Sequence, residues 1–420
     1  VDNGGSMLDL VAALVLLVAF HIFVLSATKR FGVSKWVAPI VVPTVFFVGL
    51  VLWVPSSPFF IPSDGSYYQA WGYSLSQSWT GQSAPLEGTL WPGKGVWPLI
   101  IGVFHFFLGP VVVTLIAFNS IVLGFSVVAL QKAILLLTGK NPTWSILLLV
   151  LSSAPFVMFG PSVLRESLFW LGASGGVLAL CYLHHGRIPA GLFSLIAGSA
   201  VLLLFRSDAG TVIVFALMVV SVFQIGFVLG KRSRSQKTLA SLALVGLLAS
   251  SPLAFDGMRP GTTDGKIVAA AHRDLSGPSV LSGFNSADNL NTCDTATSGG
   301  SGLLITILCH SAVNLPQALF GPFFWEYGPE PIWLISGLST LHFLVVLALS
   351  LVFLTNKEGR GWVPIGIFLV AGLSFIMFSS LLSNYGILIR FRATTEILLL
   401  PLAVSGLMTL LPQSRAVSRT

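Results

Sequence analysis

The sequence predicts an all-α polytopic membrane protein of about eleven transmembrane helices, and three observations predict it. The 420 residues are 54% hydrophobic and only 9% charged, with a mean hydropathy of +0.88. Soluble globular chains carry roughly 25% charged residues. Apolar runs near the ~20 residues that a bilayer span requires recur along the whole chain. The basic residues then alternate in a way that gives the runs a consistent direction. Together these exclude an ordinary soluble enzyme, a disordered chain and a nucleic-acid-binding module. The net charge of +7 is read from where its charges fall rather than from their sum.

In chain order, residues 1–6 precede Met7 and read as an expression scar, outside the fold argument. The single transmembrane domain then runs over 7–420. Its spans are expected at 8–27, 37–58, 111–131, 145–160, 168–184, 188–205, 210–230, 238–255, 332–354, 364–382 and 394–411. The first run has no preceding basic region and no cleavage site after it, so it reads as a retained helix. The run 95–108 is short and flanked by Gly and Pro, so it reads as an interfacial or re-entrant helix.

The charges orient this map. With the N-terminus outside and the C-terminus cytoplasmic, the inner loops hold 14 of the 22 basic residues against a single acidic residue, Glu358. Lys/Arg excess marks the cytoplasmic face. Counting 95–108 as a full span would place Lys231–Lys237 outside, which rejects that count. Two long loops then fall outside, 59–95 with interfacial helices and 256–331 as a lid-like loop rich in Gly and Ser at 286–302. Work on the outer face, at the membrane surface, is the expectation.

The candidate chemistry gathers there. Asp64 follows span 2 and precedes Tyr68, Trp71, Leu75 and Trp79, which recur near helical spacing and predict an amphipathic interfacial helix. A carboxylate at the bilayer surface can serve as general base toward a hydroxyl, and Asp64 or Ser63 can equally cap the helix. Arg165 with Glu166 and Arg206 with Asp208 fall on two short outer turns, and Arg390, Arg392 and Glu396 at the outer start of the last span, so that the four arginines lie on three turns. Four arginines at one membrane depth suit a lipid-linked phosphate, because the planar guanidinium fork matches phosphate oxygens. Local pairing of Arg165 with Glu166 and of Arg206 with Asp208 is the alternative. Mid-span positions hold only His21, His342 and small polar residues such as Asn119 and Ser120, with no Asp or Glu, which argues against an ion path through the centre.

Other features carry less. Cys181 lies in a span and is expected to pack there. Cys293 and Cys309 share the long outer loop, where a disulfide is open to them in an oxidising compartment. His184 and His185, adjacent on an inner loop beside Arg187, are only a weak metal signal, and no metal or other cofactor is expected. His272 and His310 are isolated loop histidines. Leu319–Trp325 is apolar enough to meet an isoprenoid chain or to anchor span 9.

Four stretches resemble the GT-C superfamily of polytopic glycosyltransferases: SDGSYYQAW (63–71), GKGVWPLIIGVFHFFLGP (93–110), PSVLRESLFW (161–170) and NYGILIRFRATTEILLLP (384–401). The resemblance covers about half the chain. It implies a GT-C-like architecture and transfer of a sugar, with inversion, from a polyprenyl-phosphate donor to a glycan or glycolipid acceptor of the cell envelope. It further implies Asp64 as general base, and a phosphate and substrate site drawn from Arg165, Glu166, Arg206, Arg390, Arg392 and Tyr68. The setting implied is a multi-pass protein of a plasma membrane, bacterial by preference, in contact with membrane lipids. Three features depart from the family pattern. Asp64 follows the second span rather than the first, Gly65 stands where a second acidic residue is usual, and only Gln413–Thr420 follows the last span. Two other readings stay open: a polymerase of lipid-linked repeat units, in which the arginines dominate, and a lipid or glycan flippase or transporter.

Overall fold

The computed structural model describes residues 7–54, 65–82, 96–109, 111–230, 311–312, 314–321, 331–379 and 385–411. No strand occurs among them. The helices are α1 (Met7–Phe31), α2 (Val37–Trp53), α3 (Gly65–Trp79), α4 (Val96–Leu108), α5 (Val112–Thr138), α6 (Thr143–Ser152), α7 (Ala154–Phe159), α8 (Glu166–His184), α9 (Ile188–Phe205), α10 (Ser207–Gly230), α11 (Pro331–Thr355), α12 (Trp362–Ser379) and α13 (Tyr385–Leu410). Eight of these, α1, α5 and α8 to α13, are long and apolar enough to cross a membrane. The protein is therefore an α-helical multi-pass membrane protein.

Several spans differ from the sequence reading, and α5 runs to Thr138, seven residues past the expected end at 131. The run 145–160 is two short helices, α6 and α7, interrupted at Ser153. Pro155 is the reason: it has no N–H to donate and suits the first turn of a new helix. The last span begins at Tyr385, nine residues before the expected 394, so Arg390 and Arg392 lie inside α13 rather than before it, and Glu396 lies well inside α13 rather than at its outer start. The helix at 37–58 is shorter than expected, ending at Trp53. The expected span 238–255 and both loop cysteines, Cys293 and Cys309, lie outside the described residues.

Packing sorts the helices by what they touch. α5 is buried along most of its length and forms a central post, against which α1, α2 and α8 pack. α1 by contrast turns Val15 (61% exposed) and Ile22 (68% exposed) outward. Apolar side chains exposed on this scale suit lipid, not water. α8 and α9 approach each other closely. A Cβ placed on Gly198 would stand 2.8 Å from the Gly172 carbonyl oxygen and 3.1 Å from the Gly176 nitrogen. Small residues allow such backbone contact between helices in lipid. Gly198→Val is expected to destabilise the protein by about 1–3 kcal/mol through overpacking, read as a lower midpoint of detergent-driven unfolding. Gly226→Val, which meets open space, is the control.

Cross-contacts fix the two ends of the bundle. At one end Asp9 of α1 accepts the N–H groups of Val113 (2.9 Å) and Thr114 (2.7 Å), capping α5 from a neighbouring helix. At the other end the Lys132 ammonium donates to the Phe31 carbonyl, the Ser34 N–H donates to Gln131, and the Asn356 amide donates to Thr409. Gly139, at φ 69°, closes α5 there in the left-handed conformation that glycine adopts without strain. Lys29, Arg30, Lys35, Lys132, Lys140, Arg187, Lys357 and Arg360 belong to this second end, with Glu358 the acidic residue among the described ones.

Candidate functional site

The arginines gather at the Asp9 end. The chain leaves α7 at Phe159 and runs through a buried, non-helical stretch, 160–165, before α8 begins. Backbone at this depth needs partners, since lipid supplies none. Side chains from three other helices provide them. Trp53 donates to the Met158 carbonyl (2.6 Å) and Trp97 to the Val163 carbonyl (3.1 Å). The Asn119 amide donates to the Ser162 and Leu164 carbonyls, while its oxygen accepts from Ser167 (2.8 Å). Asn119 thus holds the loop that presents Arg165. The sequence reading passed over it as a small polar residue, although an amide inside an apolar helix was itself the signal.

Three of the four arginines converge on one carboxylate. Arg390 of α13 donates to Glu166 at 3.2 Å, and Arg206, between α9 and α10, lies 3.7 Å from the same oxygen. Arg165 adjoins them, its guanidinium 5.9 Å from the centre of the Tyr68 ring on α3. Arg206 sits over Phe391 (5.0 Å) and Phe169 (5.8 Å), and these aromatic faces favour the cation. Arg165, Glu166 and Arg206 are all buried. Among the described side chains, three guanidiniums thus face one carboxylate. Glu166 holds arginines from two other segments, so the alternative of local pairing of Arg165 with Glu166 alone gives way to this shared arrangement. Nη1 of Arg165 is buried with no hydrogen-bond partner among the described residues. Its donors are available to an anion.

Tyr68 follows Asp64 by four residues in the sequence; Asp64 lies outside the described residues, as does the Asp208 side chain. The helix predicted after Asp64 is present as α3, with Trp71 and Leu75 buried. It packs against α4, the expected short helix at 95–108.

Arg392 is not part of the cluster. It is fully buried, and its guanidinium donates to the Ala318 carbonyl (2.7 Å), the Gln317 carbonyl (3.0 Å) and the Thr340 hydroxyl (2.7 Å). Gln317 and Ala318 belong to the helical segment 314–320, so Arg392 ties the end of the long loop to α11 and α13. Its position on α13 explains the separation from Arg390. Two residues along an α-helix differ by about 200° in direction.

A second buried polar group corrects the expectation of no mid-span acid. Glu396, the twelfth residue of the 26-residue α13, is fully buried and lies 3.1 Å from His342 Nδ1 of α11. It also accepts the Ser153 hydroxyl at 3.1 Å, at the α6–α7 break. The other ring nitrogen of His342 meets the Leu149 carbonyl at 2.9 Å. Cys181 is buried in α8, as its apolar setting suggested. No group of three or more His, Cys, Asp or Glu with metal-binding geometry occurs among the described residues.

The fold and these clusters define an integral membrane protein with a buried arginine–carboxylate cluster at one end of its bundle. Comparison with known proteins finds no matching family model, no matching curated protein and no matching solved structure.

Proposed function

We propose that the protein is a membrane glycosyltransferase that moves a sugar from a polyprenyl-phosphate donor to a cell-envelope glycan or glycolipid on the outer face of a plasma membrane. The observation that carries this reading is the meeting of Arg165, Arg206 and Arg390, from three separate segments, beside the helix that follows Asp64. The cluster stands opposite the lysine-rich end, and Lys/Arg-rich short loops favour the cytoplasm. The cluster then faces outward, where a lipid-linked phosphate would present its headgroup.

In this mechanism the lipid chain stays in the bilayer and the donor phosphate lies among the arginines. Asp64 takes the proton of the acceptor hydroxyl, and the acceptor oxygen bonds to the anomeric carbon with inversion. The bond from that carbon to the phosphate oxygen breaks, and the lipid phosphate leaves with its electron pair. The arginines are fixed before the charge develops, which is how preorganised donors lower a barrier. Glu166 acts by holding Arg206 and Arg390 in place rather than by touching the donor. No metal is required in this scheme.

The test is envelope-glycan composition in a strain lacking the protein, complemented with wild type, Asp64→Asn or Arg165→Ala at equal membrane level. Wild type should restore a missing sugar. Asp64→Asn should lower transfer by about 10²–10⁴-fold, and Arg165→Ala by about 10²–10³-fold. Full restoration by both variants would overturn the reading. Restoration by Asp64→Asn with failure of Arg165→Ala would favour the polymerase of lipid-linked units, which shares the arginine cluster.

A further inference from the structure

The lysine-rich end carries a cavity that the proposed reaction does not use. It measures about 780 Å³ and lies where the starts of α2 and α6 meet the end of α13. Its wall is apolar, built from Ile40, Leu147 and Leu411 with the indoles of Trp36 and Trp144. Both indoles are largely exposed, at 61% and 78%. Asn141 and Thr143 supply polar groups.

Two lysines adjoin the residues that line this cavity. The Lys35 ammonium lies 5.0 Å from the centre of the Trp36 ring, on the wall itself. Lys140 is exposed and adjoins Asn141 in the chain. The first residues of two helices also face it. Trp36 and Pro142 are the N-caps of α2 and α6, and neither supplies a side-chain capping hydrogen bond. Helix N-termini carry partial positive charge and attract anions.

An apolar wall opening at the bundle end and a cationic rim together describe an amphiphile with a negative head. A free anion would meet mostly hydrocarbon here. The segment 412–420, which follows Leu411, carries Arg415 and Arg419 and no acidic residue, so charge disfavours it as the occupant. We propose that this cavity is a binding site for an anionic phospholipid of the cytoplasmic leaflet. The acyl chain would lie along Trp36, Ile40 and Leu147, with the phosphate between Lys35 and Lys140. Exposed Trp and Lys at this level match the interfacial zone of a bilayer, and basic pockets between transmembrane helices on the cytoplasmic side suit anionic headgroups. The leaflet assignment rests on the orientation proposed above, while the lipid chemistry does not depend on the reaction.

The test uses full-length protein in phosphatidylcholine vesicles, with increasing fractions of phosphatidylglycerol brominated on its chains, and follows tryptophan quenching. Brominated phosphatidylcholine at equal fractions is the reference. Phosphatidylglycerol should quench the wild-type protein at a lower mole fraction than phosphatidylcholine. Each lysine near the surface should enrich anionic lipid about fivefold. In Lys35→Gln/Lys140→Gln the half-quenching fraction should therefore rise roughly tenfold or more. Trp36→Phe/Trp144→Phe should lose the phosphatidylglycerol-specific component because its reporters are gone. Lys357→Gln/Arg360→Gln, at the same end but off the cavity, should leave that component intact. Equal quenching by the two lipids would overturn the proposal. So would persistence of the preference in the double-lysine variant, or its equal loss in the Lys357/Arg360 control. All substitutions are at exposed positions, and unchanged unfolding midpoints would show that the variants fold. These outcomes are separate from the glycan assay, so either reading can fail alone.

Discussion

Replacing Glu166 by Gln is expected to destabilise the protein by about 3–5 kcal/mol, because removing one partner of a buried ionic cluster leaves the other charges uncompensated. Glu166 is almost fully buried, and Arg206 and Arg390 both reach its Oε1. The neutral amide keeps the shape and one acceptor but loses the charge, so three guanidiniums remain together with no described carboxylate between them. SDS-driven unfolding in mixed micelles, followed by far-UV circular dichroism, measures the loss. Arg390→Gln, tested alone and with Glu166→Gln, completes a double-mutant cycle. Residues in one ionic network show coupling of about 0.5–3 kcal/mol. A Glu166→Gln protein within about 0.5 kcal/mol of wild type would mean that water screens the cluster, as it does for exposed pairs. The same result would remove the argument for a preorganised, dry anion site.

Much of the helical layout was legible because apolar runs in a membrane protein are long, and each must satisfy its own backbone. α8 to α10 begin and end within a few residues of where hydropathy places them, and α5 begins within one residue but runs on to Thr138. What hydropathy does not resolve is a break inside a continuous apolar run. Thr143–Phe159 stays apolar throughout, and only Ser152, Ser153 and Pro155 mark where α6 gives way to α7. The meeting of the arginines was legible as an equal membrane depth, but their partners were not. Sequence neighbours such as Arg165 and Glu166 invite pairing, yet adjacent residues at a helix start point in different directions. Glu166 therefore reaches Arg206 and Arg390 from other segments. The start of α13 was the larger misplacement. The run NYGILIRFRATTE looks too polar for a helix crossing lipid, because three charges interrupt it. Those charges are compensated only in three dimensions, Arg390 by α8, Arg392 by the carbonyls of 317 and 318, and Glu396 by α11. Once α13 begins at Tyr385, its geometry sends Arg390 and Arg392 to opposite sides.

The pair formed by His342 and Glu396 sits deeper in the protein than the arginines and is expected to dominate its stability locally. His342→Leu and Glu396→Leu should each cost about 3–5 kcal/mol, since either leaves a buried polar or charged group without its partner. The double variant should cost far less than their sum, because apolar replacement of both partners removes the desolvation problem and can even stabilise. Ser153→Ala, which removes one hydrogen bond to Glu396 and keeps the pair, should cost only about 0.5–1.5 kcal/mol. The same unfolding assay reads all four proteins, and additive single and double costs would show that the two side chains do not interact. The contrast also bears on why such a pair persists. If the apolar double variant is at least as stable as wild type, the pair is not retained for stability. Its remaining distinction is its position, linking α11 and α13 to the serine at the α6–α7 break, from which the chain runs on to Arg165. In that case the double variant should be stable yet impaired in the glycan complementation assay, as expected for a pair that sets where the Arg165 loop lies. A stable double variant with full activity would assign the pair no part in positioning the arginine site.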